Sequence, residues 1–228
     1  MEHSYRNLQS RTTWLCRLLY LAVALDAVSL ISNGYQRMVL QQAVDGSYES
    51  TEALQASAEA SDFWQHLISI PTLALMLLTF VLAEIWIYRA SANLRSFGAS
   101  RLPTSPGWAV GWYFIPFANL LKPFQAMSEI WRASTAPLEW EQAATPPLLR
   151  LWWALWLVNG FLGNITFRVS MRAEEVEALL NANSLLIASD LVSIPLSLVF
   201  ARMLHRIGEM QARQSSLAGL PPELPATI

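Results

Sequence analysis

The chain has 228 residues, 54% of them hydrophobic and only 14% charged, with a mean hydropathy of +0.31 and a formal net charge of −2. Ordinary soluble domains are about 25% charged, so this composition leaves a soluble protein too little polar surface to cover its apolar bulk, whereas lipid covers a polytopic membrane protein. The net charge says nothing about nucleic acid, but no Lys/Arg-rich run exists and no nucleic-acid partner is expected; a lone cysteine, Cys16, excludes an internal disulfide.

Residues 1–13 form a short polar N-terminus. The apolar run over 14–32 exceeds the roughly 7–15 residues of a signal-peptide core, and no small-x-small cleavage site follows. It therefore reads as a retained first span. Residues 33–66 read as a polar external loop, with Asp45, Glu49, Glu52, Glu59 and Asp62 against Arg37. Its EALQASAEA stretch predicts short helices, and Asp45-Gly46-Ser47 predicts a turn. A second span covers 68–88 and continues as helix through RASANLRSF. A third covers 149–167 and a fourth 184–204, joined by the short acidic loop MRAEEVEALLNAN. Each span is about 20 residues, or roughly 30 Å of helix, the thickness of the hydrocarbon core. The tail, 205–228, has little to bury from Gln211 onward and reads as disordered.

Between the second and third spans lies SPGWAVGWYFIPFANLLKPFQAMSEIWRAS, residues 105–134. It is aromatic enough to enter a bilayer, but Pro116 and Pro123 break a helix, and Lys122 and Glu129 are costly in lipid. Charge decides its path, because cytoplasmic loops are enriched in Lys and Arg. A full crossing would distribute the 15 basic residues almost evenly between the two sides. A segment that turns back, breaking near IPFAN, leaves only Arg37, Arg168 and Arg172 outside. The fold expected is an all-α polytopic transmembrane helix bundle. It has one domain over 14–204, four spans plus a Pro-broken re-entrant or interfacial helical segment, and both termini cytoplasmic.

The same string, with the preceding WIYRASANLRSFG and the following LWWALWLVNG, resembles the domain-of-unknown-function 4328 family. The likeness covers about residues 65–208. It implies a multi-pass protein of a bacterial inner membrane and no known activity.

Ionisable and amide groups inside spans are the first functional candidates. Asp26, Asn159, Asn164 and Asp190 fall in the outer half of their spans, with no Lys or Arg at that level. They are expected to hold a proton or cation, or else to bond helices together. Gly160 and Gly163 suggest a close helix contact nearby. A second set gathers at the inner face: Glu84, Arg89, Asn93, Asn119, Lys122, Glu129 and His205. Asn93 follows Arg89 at i+4, and Asn119, Lys122 and Glu129 share a face if one helix carries all three. These are expected to form a vestibule for a small ligand, a lipid headgroup or a protein partner. Trp108, Trp112, Trp152, Trp153 and Trp156 read as interfacial anchors.

Signals of ordinary enzymes are missing. There is no P-loop, GxGxxG or GxSxG, and no His/Cys spacing for a metal. No cofactor is implied, and a non-enzymatic binding module is the leading reading. The alternative is a small proton- or cation-coupled transporter or channel using Asp26 and Asp190. Its few spans would favour a homo-oligomer in the bilayer.

Overall fold

The computed structural model describes residues 4–173 and 175–220. All regular structure among them is helical. Six helices follow in order: α1 Gln9–Asp45, α2 Thr51–Ser96, α3 Pro106–Gly111, α4 Lys122–Thr135, α5 Pro147–Ser170 and α6 Val176–Leu217. Short 3-10 turns cover Trp112–Phe114, Ala118–Leu120 and Pro137–Glu139.

Three helices, α1, α2 and α6, are long and apolar enough to cross a membrane, where four were expected. The segment 149–167 does form helix α5, and its 24 residues give about 36 Å. Its apolarity is diluted by Trp152, Trp153, Trp156, Asn159 and Asn164. Helices α1, α2 and α6 have 37, 46 and 42 residues, about twice what the hydrocarbon core requires.

That excess length absorbs what the sequence suggested was loop. Residues 33–66 are helical except around a turn, because Ala, Gln and Glu are good helix formers. Pairs at i+4 support the exposed ends: Gln41 Nε2 donates to Asp45, and Gln55 Nε2 to Glu59 at 3.0 Å. Gly46, at φ +63°, follows the last residue of α1 in the left-handed conformation that ends helices. The Ser50 hydroxyl caps α2 by accepting from Ala53 N at 3.1 Å. At the other end, α6 runs on to Leu217 where a disordered tail was expected from Gln211. Residues 221–228 of that tail lie outside the described residues.

The chain divides into two compact units. The first gathers residues 4–18, 78–153 and 199–220; the second gathers 19–77 and the described residues of 154–198. The first unit carries twelve of the 15 Lys and Arg, and the second carries Arg37, Arg168 and Arg172.

The core of the first unit is built from Trp86, Leu94, Met127, Leu149, Met203 and Ile207, all fully buried. Trp152 and Trp153, expected at the interface, are buried here too; Trp152 stacks on Phe200 at 5.8 Å. Gly160 and Gly163 mark no close contact, since nothing lies within 4 Å of an added Cβ at either. The tight position is Gly208, where a Cβ would stand 3.2 Å from Thr12 Oγ1. Cys16 is half-buried and bonds the Ala201 carbonyl at 3.6 Å.

Candidate functional site

The broken segment lies wholly in the first unit. Ser105 caps α3 by accepting from Trp108 N, and Pro106 follows it, a position that lacks no hydrogen bond for want of an N–H. The break falls where it was expected. Ile115 is extended, Pro116 follows, and Phe117 sits at φ +63° with its side chain exposed. A non-glycine residue in that region stores on the order of 1–3 kcal/mol, held by its surroundings. The chain then re-enters helix at Lys122, with Pro123 in the first turn of α4. Asn119 therefore belongs to a 3-10 turn and not to the helix of Lys122 and Glu129, so the expected common face is lost.

Between α3 and α4 the segment encloses a cleft of about 490 Å³. One wall is aromatic. Trp108 and Trp112 stack at 4.5 Å, and the Lys122 ammonium lies 5.6 Å from the Trp112 ring centre. Trp140 closes the other side, with the Arg132 guanidinium 5.1 Å from its ring. Arg132 is fixed by donating to the Trp140 carbonyl at 3.0 Å and to the Glu141 carbonyl. Trp140 Nε1 in turn donates to the Ser100 carbonyl.

The floor carries two buried polar residues, Ser128 at 7% exposure and Glu129 at 6%. The Ser128 hydroxyl has no hydrogen-bond partner among the described residues. Glu129 accepts from Thr104 N at 3.3 Å, and Arg95 donates to the Thr104 carbonyl at 3.2 Å. Burial pushes the Glu129 carboxyl above its ordinary range, while bonds from Thr104 and the charges of Arg95 and Arg132 pull it back.

The other residues expected at this face do not join the cleft. Asn93 is consumed by structure. Its Oδ1 accepts from Arg6 N, and its Nδ2 donates to the Arg6 carbonyl and to Gln211 Oε1, each within 3.0 Å. Gln211 passes the chain of bonds on to the Ala90 carbonyl and Ser134 Oγ. Arg89 lies over the Tyr88 ring. His205 is exposed and pairs with Glu209, one turn on, at 3.3 Å. Glu84 is buried and borders Tyr113, whose hydroxyl is pushed well above its ordinary range by burial and by that carboxylate. Of the seven inner-face residues, only Lys122 and Glu129 line the cleft. Ser128 and Arg132 were missed, because a serine and a helix-end arginine carry no signal until α4 packs.

The second unit holds a polar network of its own. Asp190 Oδ2 accepts from Ser29 at 2.8 Å and from Asn33 at 2.9 Å. Asp26 bonds Ser193 and is near enough to Asp190 to repel it, while Asp26 Oδ2 accepts nothing among the described residues. The structure thus brings the two carboxyls into one neighbourhood. The two amides do not join them: Asn159 is half-buried, and Asn164 is exposed and accepts from Arg168. Neither is a partner of the aspartates. Their place is taken by Asn33, which Gln65 also reaches, and Asn183 extends the network to Gln36. Asn33, Gln36 and Gln65 fell in the stretch read as loop and were missed for that reason. No cluster of three metal-ligating side chains occurs among the described residues.

No curated protein and no solved structure matches the chain. The family model described as Domain of unknown function (DUF4328) matches residues 49–209, which include α2 to α5, the whole broken segment and most of α6, and the chain belongs to that family.

Proposed function

We propose that this is a non-enzymatic membrane protein that binds a small ligand in the cleft of its broken segment. The observation that carries the reading is Ser128. A hydroxyl at 7% exposure with no partner is costly to bury, by about 1–3 kcal/mol. It lines a cleft whose volume falls in the range of small-molecule sites. A ligand that reaches this hydroxyl from the cleft would repair that loss.

The cleft-filling variant Gln125→Trp tests this. Gln125 is exposed at the cleft, so the larger side chain occupies the space without disturbing the core. The wild-type protein should melt about 5–10 °C higher with a cleft ligand at a hundred times its Kd. In a panel of anions, cations, sugars and phospholipids, Gln125→Trp should cancel the shift. If every shift seen with the wild type survives in Gln125→Trp, the cleft is not the site.

The same proposal sets the topology: a bacterial inner membrane, four spans with α5 among them, and both termini cytoplasmic. Two features support it. The basic residues gather in the unit that contains the N-terminal ends of α1 and α5 and the C-terminal ends of α2 and α6. Helix α5, although less apolar, is long enough to span. A fluorescent protein that matures only in the cytoplasm, fused after Ile228, should glow, and a periplasm-active phosphatase at the same point should stay silent. The reverse pattern would require an odd number of spans.

A further inference from the structure

The chemistry of the cleft narrows its ligand, an inference that rests on the cleft being a binding site. Several hydrogen-bond donors among the lining side chains are left unused. Lys122 Nζ has three N–H groups and spends one on Gln125 Oε1 at 3.2 Å. Arg132 has five and spends two on the carbonyls of Trp140 and Glu141. The Ser128 hydroxyl spends none among the described residues. The acceptor in the cleft, Glu129, is already engaged by Thr104 and faces the charges of Arg95 and Arg132.

The aromatic rings also argue against a cationic guest. A cage for a quaternary ammonium needs open ring faces. Here Trp112 is stacked by Trp108 and approached by Lys122, and Trp140 is approached by Arg132. The protein's own cations already occupy the ring environments that such a ligand would use. Two cations and a buried hydroxyl with unspent donors remain among the residues that line the cleft.

We propose that the cleft binds a phosphate-bearing anion, with the phosphate oxygens accepting from Lys122, Arg132 and Ser128. A phospholipid headgroup and a free phosphomonoester share this chemistry. Hydrogen bonds between charged groups are roughly twice as strong as neutral ones. Removing a charged donor should weaken binding about tenfold, and removing the neutral hydroxyl less.

The test uses the full chain in phosphatidylcholine nanodiscs. In one arm, inorganic phosphate and glycerol 3-phosphate are titrated by calorimetry. In the other, retention of phosphatidylglycerol against phosphatidylcholine is read by native mass spectrometry. Lys122→Gln and Ser128→Ala are run in both arms; Lys122 is exposed, so its variant keeps the fold. Binding of the soluble phosphates, weakened about tenfold by Lys122→Gln and less by Ser128→Ala, supports the proposal with a free phosphomonoester as the source. Selective retention of phosphatidylglycerol, lost in Lys122→Gln, supports it with a headgroup as the source. Failure of both arms, or anion binding indifferent to both variants, overturns it. Neutral or cationic compounds whose melting shift Gln125→Trp cancels would overturn the anion and leave the cleft standing. A panel with no shift cancelled by Gln125→Trp would remove both.

Discussion

Replacing Gln211 with alanine should destabilise the protein by about 3 kcal/mol or more. The side chain, at 1% exposure, joins four pieces of the first unit. It accepts from Asn93, donates to the Ala90 carbonyl and donates to Ser134, all at 2.9–3.0 Å. Asn93 uses its remaining capacity to hold Arg6, and so ties the segment before α1 to α2. Alanine removes three buried hydrogen bonds, each worth about 0.5–1.5 kcal/mol and not strictly additive. Gln214, about one turn later, half-buried and donating to the Thr135 carbonyl at the surface, is the control. Its alanine variant should cost under about 1 kcal/mol. Melting of both in detergent decides the matter, and hydrogen exchange at Arg6 N should accelerate in Gln211→Ala. Equal losses from the two variants would mean that the clasp does not hold the unit together.

Trp86→Ala should cost about 3–5 kcal/mol, the range for emptying a large core site. Trp86 has no exposed surface, and its indole N–H donates to Thr12 Oγ1 at 2.8 Å. The loss has two parts, and a second variant separates them. Thr12→Ala keeps the ring but leaves the N–H unpaired, at about 1–3 kcal/mol. The difference between the two variants measures the packing. Trp108→Ala is the reference, since Trp108 is 50% exposed and lines the cleft. If Trp86→Ala melts no lower than Trp108→Ala, the first unit is not organised around Trp86.

The sequence by itself determined that the chain is all-helical and where its main helices fall. Long apolar runs must be helical in lipid, because only a helix satisfies its own backbone there. The runs over 14–32, 68–88 and 184–204 accordingly lie inside α1, α2 and α6. Pro116 likewise marked the break in 105–134, since proline acts locally through its ring and missing N–H, while Pro123 stands in the first turn of α4, where a helix tolerates it. Composition could not fix where the helices stop. Residues 33–66 are polar, and polarity does not distinguish an exposed helix from a loop. Only packing decided which polar residues meet. Asn93 was expected to face a ligand, but the 3.6-residue period gives a direction around α2 and not what stands opposite, and Gln211 lies 118 residues away. The depths of Asp26 and Asp190 placed them at a similar level but not face to face, and Asn33 stands by Asp190 in place of Asn159 and Asn164 because side-chain bonding depends on helix rotation. The cleft shows the same division. Lys122 and Glu129 stood out by charge, but Ser128 and Arg132 acquired meaning only when α4 folded back beside α3.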